Sequence, residues 1–355
     1  MWTRLTDELP VHFNDKEFIM GKKEVRVALI GYGGAFNMGL HHANAMHATG
    51  AMRVVAVCDA NEERLPCAKQ DLGEDVQTFS DIDKLINWGE FDLGIIILPH
   101  CLHASVAIKL AKAGKHAITE KPMCMNIREA TAMMEAAQAA GTMLSVFHNR
   151  RWDGDFLALR EIVESGLIGN VFHVEMFIGG WSAPRGWWRD DKAICGGLFY
   201  DWGAHFMYWL LQLVPAPMVD VMGYYQKLVW HEISNEDQVQ AIIRFDNGVI
   251  ADFQQSSISR VPRPKWRILG DKGGVLAGAD HWIVNTEVNG MTCNDMKIPF
   301  RAGEHEKYYE NIADHLLKGK ELIVTAHDAR RVIAIMDCAE KSAKTAKPVK
   351  VPCEG

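Results

Sequence analysis

The sequence predicts an α/β protein in two parts: a parallel sheet covered by helices on both faces, then an α/β domain on a large, mostly antiparallel open sheet. Three observations carry that prediction. A glycine-rich turn within VRVALIGYGGAFNMG, residues 25–39, joins an apolar run to a helix-like segment. Short apolar runs then alternate with helix-compatible stretches as far as Phe147, the pattern of strands buried on both faces. Beyond Val171 the runs lengthen and follow one another across turn signals such as Asp246-Asn247-Gly248, with no helices between them.

The chain has 355 residues, 48% of them apolar, too many for one ordinary core. Domains are expected at 23–148 and 149–355, behind an arm at 1–22. The formal charge of -7 comes with no Lys/Arg cluster, so nucleic acid and membrane surfaces are poor partners and small soluble molecules better ones. No run approaches the roughly 18 apolar residues that span a bilayer, and the N-terminus lacks a basic flank and an apolar core. Eight cysteines without C-x-x-C spacing suit reduced thiols. A cytoplasmic protein is expected.

Residues 1–22 carry Pro10, mixed charge and the aromatics Trp2, Phe13 and Phe18 in no clear period. They read as an arm lying on the body or on a neighbouring subunit, or as a disordered tail. Strand-like runs follow at Arg26–Ile30, Arg53–Cys58, Leu93–Leu98, His116–Thr119 and Met143–Phe147, with a helix-like run at Met38–Ala48 after the first. Ligands of such sheets bind beyond the strand C-terminal ends, so the residues after each run are the ones to inspect. After the first come Gly31, Gly33 and Gly34. One glycine permits the tight turn, and another lets backbone approach a pyrophosphate on the helix N-terminus. Phe36 stands where the third glycine of the motif belongs, and the next is Gly39; backbone of Ala35 to Met38 is expected near the pyrophosphate.

After the second run stands Asp59, 28 positions beyond Gly31. A carboxylate there accepts from an adenosine ribose diol and repels a 2′-phosphate, which favours NAD over NADP. It can equally cap the helix starting near Asn61, and Arg64 keeps NADP open as the less favoured cofactor. After the third run, Pro99-His100-Cys101-Leu102-His103 has metal-like spacing, but no second cluster completes a tetrahedral set, so no metal is expected. After the fourth, Pro122 drives Lys121 of Thr119-Glu120-Lys121-Pro122 out of helical geometry; a solvent-exposed loop pair is the plainer reading.

In the second half a helix is expected over Asp153–Ser165. Strands are expected at Val171–Ile178, Val219–Leu228, Gln238–Phe245, Gly248–Ser257 and Trp266–Leu269, and helices near Glu304–Lys318 and Asp328–Ala346. The segment 181–213 differs from its surroundings. Asp201 and His205 lie four apart on a helix-like run, so a carboxylate and an imidazole share a face. An imidazole is the natural group to take a hydroxyl proton, although a core Asp-His pair has the same spacing. Trp181, Trp187, Trp188, Trp202 and Trp209 crowd the same segment, with Arg185 and Arg189 available for hydroxyls or a carboxylate. Tryptophan faces suit sugar rings, and some of these serve the core.

The set formed by the glycine turn, Asp59, Pro99 with His103, Ala113-Gly114-Lys115-His116, Glu120-Lys121-Pro122, Asn149-Arg150-Arg151, Gly196-Gly197 and Asp201 with His205 resembles, in this order and spacing, the Gfo/Idh/MocA family of oxidoreductases. The resemblance runs from about Val25 to Val351 and includes Tyr308-Tyr309-Glu310-Asn311 and a Lys347-Pro348-Val349 tail. It implies a Rossmann domain, a second domain whose sheet serves a homodimer or homotetramer, and an active site between the two. By position it implies cofactor contacts from Gly31, Gly33, Gly34, Ala35, Phe36, Asp59, Pro99, His103, Glu120, Lys121, Asn149 and Arg150. It implies substrate contacts from Lys121, Arg150, Trp188, Arg189, Asp201 and His205, a catalytic role for Lys121, Asp201 and His205, and a cis bond before Pro122. The implied activity is NAD-dependent hydride transfer at a secondary hydroxyl or ketone of a sugar, cyclitol or polyol. His205 would be the base, Lys121 the cation beside the alkoxide, and Asp201 the group that orients His205 or a substrate hydroxyl. Two alternatives share the resemblance: a redox-neutral glycosidase or lyase with tightly held NAD, and a nucleotide-sensing regulator.

Overall fold

The computed structural model of the protein describes residues 23–34, 36–352 and 354. The expected arm at 1–22, Ala35 and Cys353 lie outside the described residues. The first sheet comprises β1 (Val25–Ile30), β2 (Met52–Cys58), β3 (Gln77–Phe79), β4 (Leu93–Ile96), β5 (His116–Thr119) and β6 (Leu144–Val146). It is parallel throughout, in the order β3-β2-β1-β4-β5-β6. Its strands are apolar because both faces are covered: Val27, Leu29, Ile95 and Ile118 have no exposed surface. The order reverses between β1 and β4, which opens a crevice at the strand C-terminal ends.

Between these strands run α1 (Met38–His47), α2 (Leu65–Leu72), α3 (Ile82–Trp88), α4 (His103–Lys112) and α5 (Ile127–Ala140). Local chemistry sets their ends. Asp81 accepts from the N–H groups of Asp83 and Lys84 to start α3. Asn126 accepts from Glu129 N while Glu129 accepts from Met125 N, a reciprocal cap whose side-chain bond contributes about 1 kcal/mol. That cap fixes the helix directly after the Lys121-Pro122 loop. Strand β3 escapes the sequence reading because three residues, none of them buried, carry no periodicity.

The second half holds a nine-stranded sheet: β7 (Val171–Gly179), β8 (Met218–Gln226), β9 (Gln238–Phe245), β10 (Ile250–Ser256), β11 (Trp266–Gly270), β12 (Gly273–Ala277), β13 (His281–Val288), β14 (Met291–Pro299) and β15 (Val349–Lys350). The order is β14-β13-β12-β11-β7-β10-β9-β8-β15, and the pairing is antiparallel except between β7 and β10. The chain leaves β7 for a long excursion before β8, and the β8-β9-β10 meander then returns β10 beside β7. Nothing in the sequence reading anticipated β12 to β14; β14 has no buried residue, so it shows no apolar alternation.

The helices of this half are α6 (Gly154–Glu164), α7 (Lys192–Cys195), α8 (Phe199–Leu213), α9 (Lys307–Lys318) and α10 (Ala326–Thr345). α8 lies on the sheet through aromatic contacts: Phe199 stacks on Phe253 at 5.0 Å, and Phe206 meets Phe253 and Trp266 at 5.3 and 5.6 Å. Each such ring, fully buried, contributes roughly 2–3 kcal/mol of transfer free energy. The sequence pattern underestimates α8, since twelve of its fifteen residues are buried and no polar face marks its outer side. α9 turns back to the first domain, where the Tyr308 hydroxyl meets Ser145 of β6 and Tyr309 reaches α1. The helix carrying Asp201 and the loop carrying Lys121 therefore face each other across one cleft.

Candidate active site

The cofactor end begins at the glycine turn. Gly31 has φ 97°, and a Cβ there would lie 2.1 Å from the Ile97 carbonyl oxygen, so no side chain fits. Gly33 and Gly34 are also left-handed, at φ 70° and 77°, and their missing side chains leave room that only Arg64 approaches within 4 Å. A turn of this shape can seat a pyrophosphate, and the residues present fit a dinucleotide. Asp59 is buried at the end of β2, accepts from Tyr32 N at 2.8 Å and Asn61 N at 2.8 Å, and pairs with Arg64 at 3.2 Å. The helical turn that follows is capped by Asn61, which accepts from Glu63 N, and not by Asp59 as the spacing suggested; the Asp59 carboxylate instead ties the second strand end to the glycine turn. Phe36 reaches over the cleft and sets its ring edge-on to Trp187 of the second domain, 5.6 Å between centroids.

At the end of β5, the Lys121–Pro122 bond is cis. Glu120 is held by its own neighbour's backbone, Lys121 N at 3.0 Å, and by His42 Nε2 at 3.1 Å. Tyr309 completes that chain at 2.5 Å from His42 Nδ1. Burial opposes ionisation of Glu120, but the His42 hydrogen bond and the nearby Lys121 cation hold its pKa down at about 2. Lys121 crosses the domain boundary: its ammonium lies 2.8 Å from Asp201 Oδ1 and 3.2 Å from the Asp201 carbonyl. Arg189 meets the same carboxylate oxygen at 2.6 Å. Burial again opposes the charge on Asp201, and the two cations overcome it, placing its pKa well below the usual carboxylate range.

Around this ion cluster stand three buried histidines. His205 is pushed well below its ordinary pKa by burial first and then by the cations Lys121 and Arg150, and its Nδ1 has no hydrogen-bond partner. His148 stacks on Tyr208 at 4.3 Å, and neither of its ring nitrogens is partnered. His100 sends Nδ1–H to the Cys195 carbonyl at 2.6 Å and leaves Nε2 unpartnered. Burial brings His148 and His100 down to about 3. At neutral pH these are uncharged imidazoles with free nitrogen positions in a low-dielectric site, where a proton acceptor is chemically available. A cleft of about 550 Å³ opens from His100, Asp201 and Trp202. Among the described residues no three His, Cys, Asp or Glu side chains are placed to share a metal ion.

Residues 25–148 match the model of an oxidoreductase family's NAD-binding Rossmann fold, and residues 160–351 match that family's C-terminal α/β domain. The chain belongs to the Gfo/Idh/MocA oxidoreductase family. Among curated relatives, the chain is 25% identical to the scyllo-inositol 2-dehydrogenase (NADP(+)) IolW of Bacillus subtilis, over 92% of this chain and 95% of that one. It is 31% identical to the uncharacterized oxidoreductase YdgJ of Escherichia coli, over 90% and 96%. Among solved structures, it resembles the WlbA dehydrogenase of Bordetella pertussis in complex with NADH and UDP-GlcNAcA, with TM-score 0.77 and 25% identity over 93% of this chain and 99% of that one. The protein is accordingly an NAD-binding oxidoreductase. No helix among the described residues is long and apolar enough to cross a membrane.

Set against this family member's geometry, the sequence-predicted residues divide. Glu120, Lys121, Asp201 and Arg189 are brought together by direct contacts, with His205 one helical turn beyond Asp201. Asp201 does not orient His205, as expected from their spacing; its carboxylate turns to Lys121 and Arg189, because two cations compete for it more strongly than a neutral imidazole. His103 is not free to touch a ligand. It is fully buried with Nδ1 2.8 Å from the Pro122 carbonyl and Nε2 2.9 Å from that of Leu98, so it clamps the Lys121-Pro122 loop against the end of β4. His100, in the same cluster, is the one that reaches the cleft. Arg150 lies over Trp202 at 4.7 Å and pairs with Asp153, beside the short turn that begins at Asn149. Pro99 opens the turn that carries His100. Trp188 packs edge-on against His100 at 5.0 Å. Sequence reasoning missed His148, His42 and Tyr309. Inspecting every position just past a strand would have reached His148, two residues after β6; His42 and Tyr309 gave no such signal, since they meet only through tertiary packing.

Proposed function

We propose that the protein is an NAD-dependent dehydrogenase that transfers hydride at a secondary hydroxyl, or the corresponding ketone, of a sugar, cyclitol or related polyol. The observation that carries this reading is the Lys121 ammonium, pinned by Asp201 across the domain boundary, beside a buried, neutral His205 with an unpartnered ring nitrogen. A bound nicotinamide supplies the hydride acceptor or donor. The chain's part is to place the hydroxyl and manage its proton. His205 takes that proton, and Lys121 stabilises the alkoxide as it develops. Asp201 holds the ammonium in place through a charge-assisted bond, and Glu120, Asn149 and Arg150 line the cofactor side. Inositol dehydrogenases among the relatives support a polyhydroxylated substrate. Asp59 supports NAD as the preferred cofactor, with Arg64 beside it.

We place the protein in a reducing cytoplasm, where the seven described cysteines, all free thiols, are stable. A homodimer or homotetramer through the large sheet is supported by Tyr224 and Ile250, which stand 47% and 39% exposed on the face away from α8 and α10. The test is a panel of inositols, polyols, aldoses and glycosides with NAD, followed by NADH absorbance together with product mass. His205→Ala is expected to lower kcat at least a hundredfold on the true substrate. Wild-type rates in both His205→Ala and Lys121→Ala would overturn the assignment, and product without net NADH would mark the redox-neutral cycle.

A further inference from the structure

We propose that the cleft holds an outer subsite for a second, uncharged polyhydroxylated ring, so that the substrate class is a glycoside or glycosylated cyclitol rather than a lone ring. The proposal rests on the reading that a sugar hydroxyl reacts at Lys121 and His205, and it names what is attached to that sugar.

The argument starts from the period of two along β10. Ala251, Phe253 and Gln255 share a face, and Phe253 is covered by Phe199 at the first turn of α8. Past that residue the same strand runs into the floor of the cleft. Gln255 lies there, only 5% exposed, beside Ile178 of β7. Its Oε1 has no hydrogen-bond partner. A buried primary amide with an unmet end is unfavourable in the empty cleft, whichever way the amide is turned, and a ligand hydroxyl relieves it.

A second group at the same wall complements the first. Trp230 lines the cleft, and its indole N–H is buried without an acceptor. The ring is braced edge-on by Trp181 at 5.5 Å, and Arg260 in turn caps Trp181 at 3.6 Å. The donor is therefore held in place before any ligand arrives. One fixed donor and one unmet amide acceptor suit hydroxyl groups, which both give and take hydrogen bonds.

Most of the charges nearby are matched within the protein, apart from Arg185 on the lining and the buried Nε of Arg189. Arg189 pairs with Asp201, Lys192 with Glu236, and Asp190 accepts from the backbone N–H groups of Arg185, Gly186 and Trp187. Beside those two guanidinium groups, what the wall leaves unmet for its ligand is the neutral Gln255 amide and Trp230 indole. Room is sufficient: about 550 Å³ is the scale of a drug-sized molecule, larger than one pyranose needs. His100 and Asp201 mark the reacting end of the same cleft.

The experiment uses the full chain with NAD and compares one-ring with two-ring compounds: glucose against cellobiose and maltose, and myo-inositol against galactinol. Wild type is expected to show a higher kcat/KM for a two-ring compound than for its one-ring counterpart. Gln255→Leu and Trp230→Phe, the second keeping a smaller aromatic ring and deleting the N–H, are each expected to lower that ratio about tenfold through KM. A ratio unmoved in both variants overturns the subsite, as does a preference for one-ring compounds or for uronic acids and sugar phosphates. Calorimetry on the NAD-loaded protein separates the two readings. Binding of a two-ring compound that Gln255→Leu weakens, without oxidation of any sugar, supports the subsite and sinks the dehydrogenase. Oxidation of one-ring compounds with no binding of two-ring ones does the reverse.

Discussion

The two walls of the cleft treat their buried polar groups in opposite ways. On the cofactor wall the groups are largely bonded already: Asp59 to two backbone N–H groups, Glu120 to Lys121 N and His42, and His103 through its one N–H to one of the two carbonyls that flank it. On the substrate wall, to which both domains contribute, His100, His148, His205, Gln255 and the Nε of Arg189 are buried with atoms left unpaired. A cofactor shared across a family needs a fixed seat, and internal bonds provide rigidity. A substrate has to be recognised by what the protein leaves unmet, because only unpaired groups gain from the ligand and reject an analogue that lacks the matching hydroxyl. Substitutions on the two walls should therefore read out differently, the first in cofactor affinity, the second in turnover and substrate choice.

The largest effect is expected where the walls join. Lys121→Ala removes the cation that bridges to Asp201, and kcat/KM should fall on the order of a thousandfold, about 4 kcal/mol of transition-state stabilisation. NAD binding, followed by quenching of tryptophan fluorescence, should change only a few-fold. A loss in affinity as large as the loss in rate would place Lys121 with the cofactor wall and break the contrast.

Next comes the stability cost of the unpaired imidazoles. His100 and His148 titrate near 3 when folded against about 6.5 when unfolded, so the unfolded chain binds more protons throughout that window. Stability then rises with pH up to about 6.5 and is lost as pH falls below it. At pH 5 each contributes on the order of 2 kcal/mol of destabilisation relative to pH 7. Glu120 and Asp201 act lower, their contribution being lost only as pH drops below the ordinary carboxylate range. Thermal melts at pH 7 and pH 5 should show His148→Gln losing less stability between them than the parent; equal losses would mean that His148 is not held neutral.

These two expectations also show what the sequence could and could not say. Gly31, Asp59 and the Glu120-Lys121-Pro122 run are legible because they sit at strand ends, where chain position alone fixes what they face. The parallel sheet follows from the same alternation of short apolar runs and helices, but its order, and β3 at its edge, come only from the structure. Asp201 and His205 were found by helical spacing, but the spacing assigned the wrong partner: four residues put two side chains on one face and cannot reveal Lys121 and Arg189 arriving from elsewhere. His100 and His103 are three apart in one motif, and only packing decides which nitrogen is left over. Of the missed strands, β14 at the sheet edge buries nothing and so has little reason to alternate, whereas β13 does alternate, burying Trp282, Val284 and Thr286, and was overlooked.

On the cofactor wall, Asp59→Asn tests the adenosine end. The amide keeps one acceptor oxygen, so one of the two N–H groups at Tyr32 and Asn61 loses its partner and a modest drop in Tm is expected. The informative readout is thus a ratio. With the carboxylate charge gone and Arg64 still 3.2 Å from that position, the Kd for NADP relative to NAD should fall about tenfold. A ratio that stays put would show that the ribose end of the cofactor lies away from Asp59.

The smallest effect, and the finest test of the contrast, is at Tyr309. Ionised Glu120 only accepts, so His42 presents Nε2–H to it, and Nδ1 is then left to accept the Tyr309 hydroxyl. That hydroxyl anchors the far side of the ring from outside the cleft. In Tyr309→Phe Nδ1 loses its partner and the ring is free to tilt, loosening its Nε2–H bond to Glu120 without changing any residue that touches a ligand. The Kd for NAD should rise about threefold, while the selectivity between one-ring and two-ring sugars stays as in the parent. Tyr308→Phe is the matched control, since it deletes a buried hydroxyl bonded to Ser145 on the same helix. It should lower Tm comparably and leave the Kd for NAD where it was. If both variants shift NAD affinity alike, Tyr309 acts only by holding α9 in place, and the seat of Glu120 is less finely fixed than its hydrogen bonds suggest.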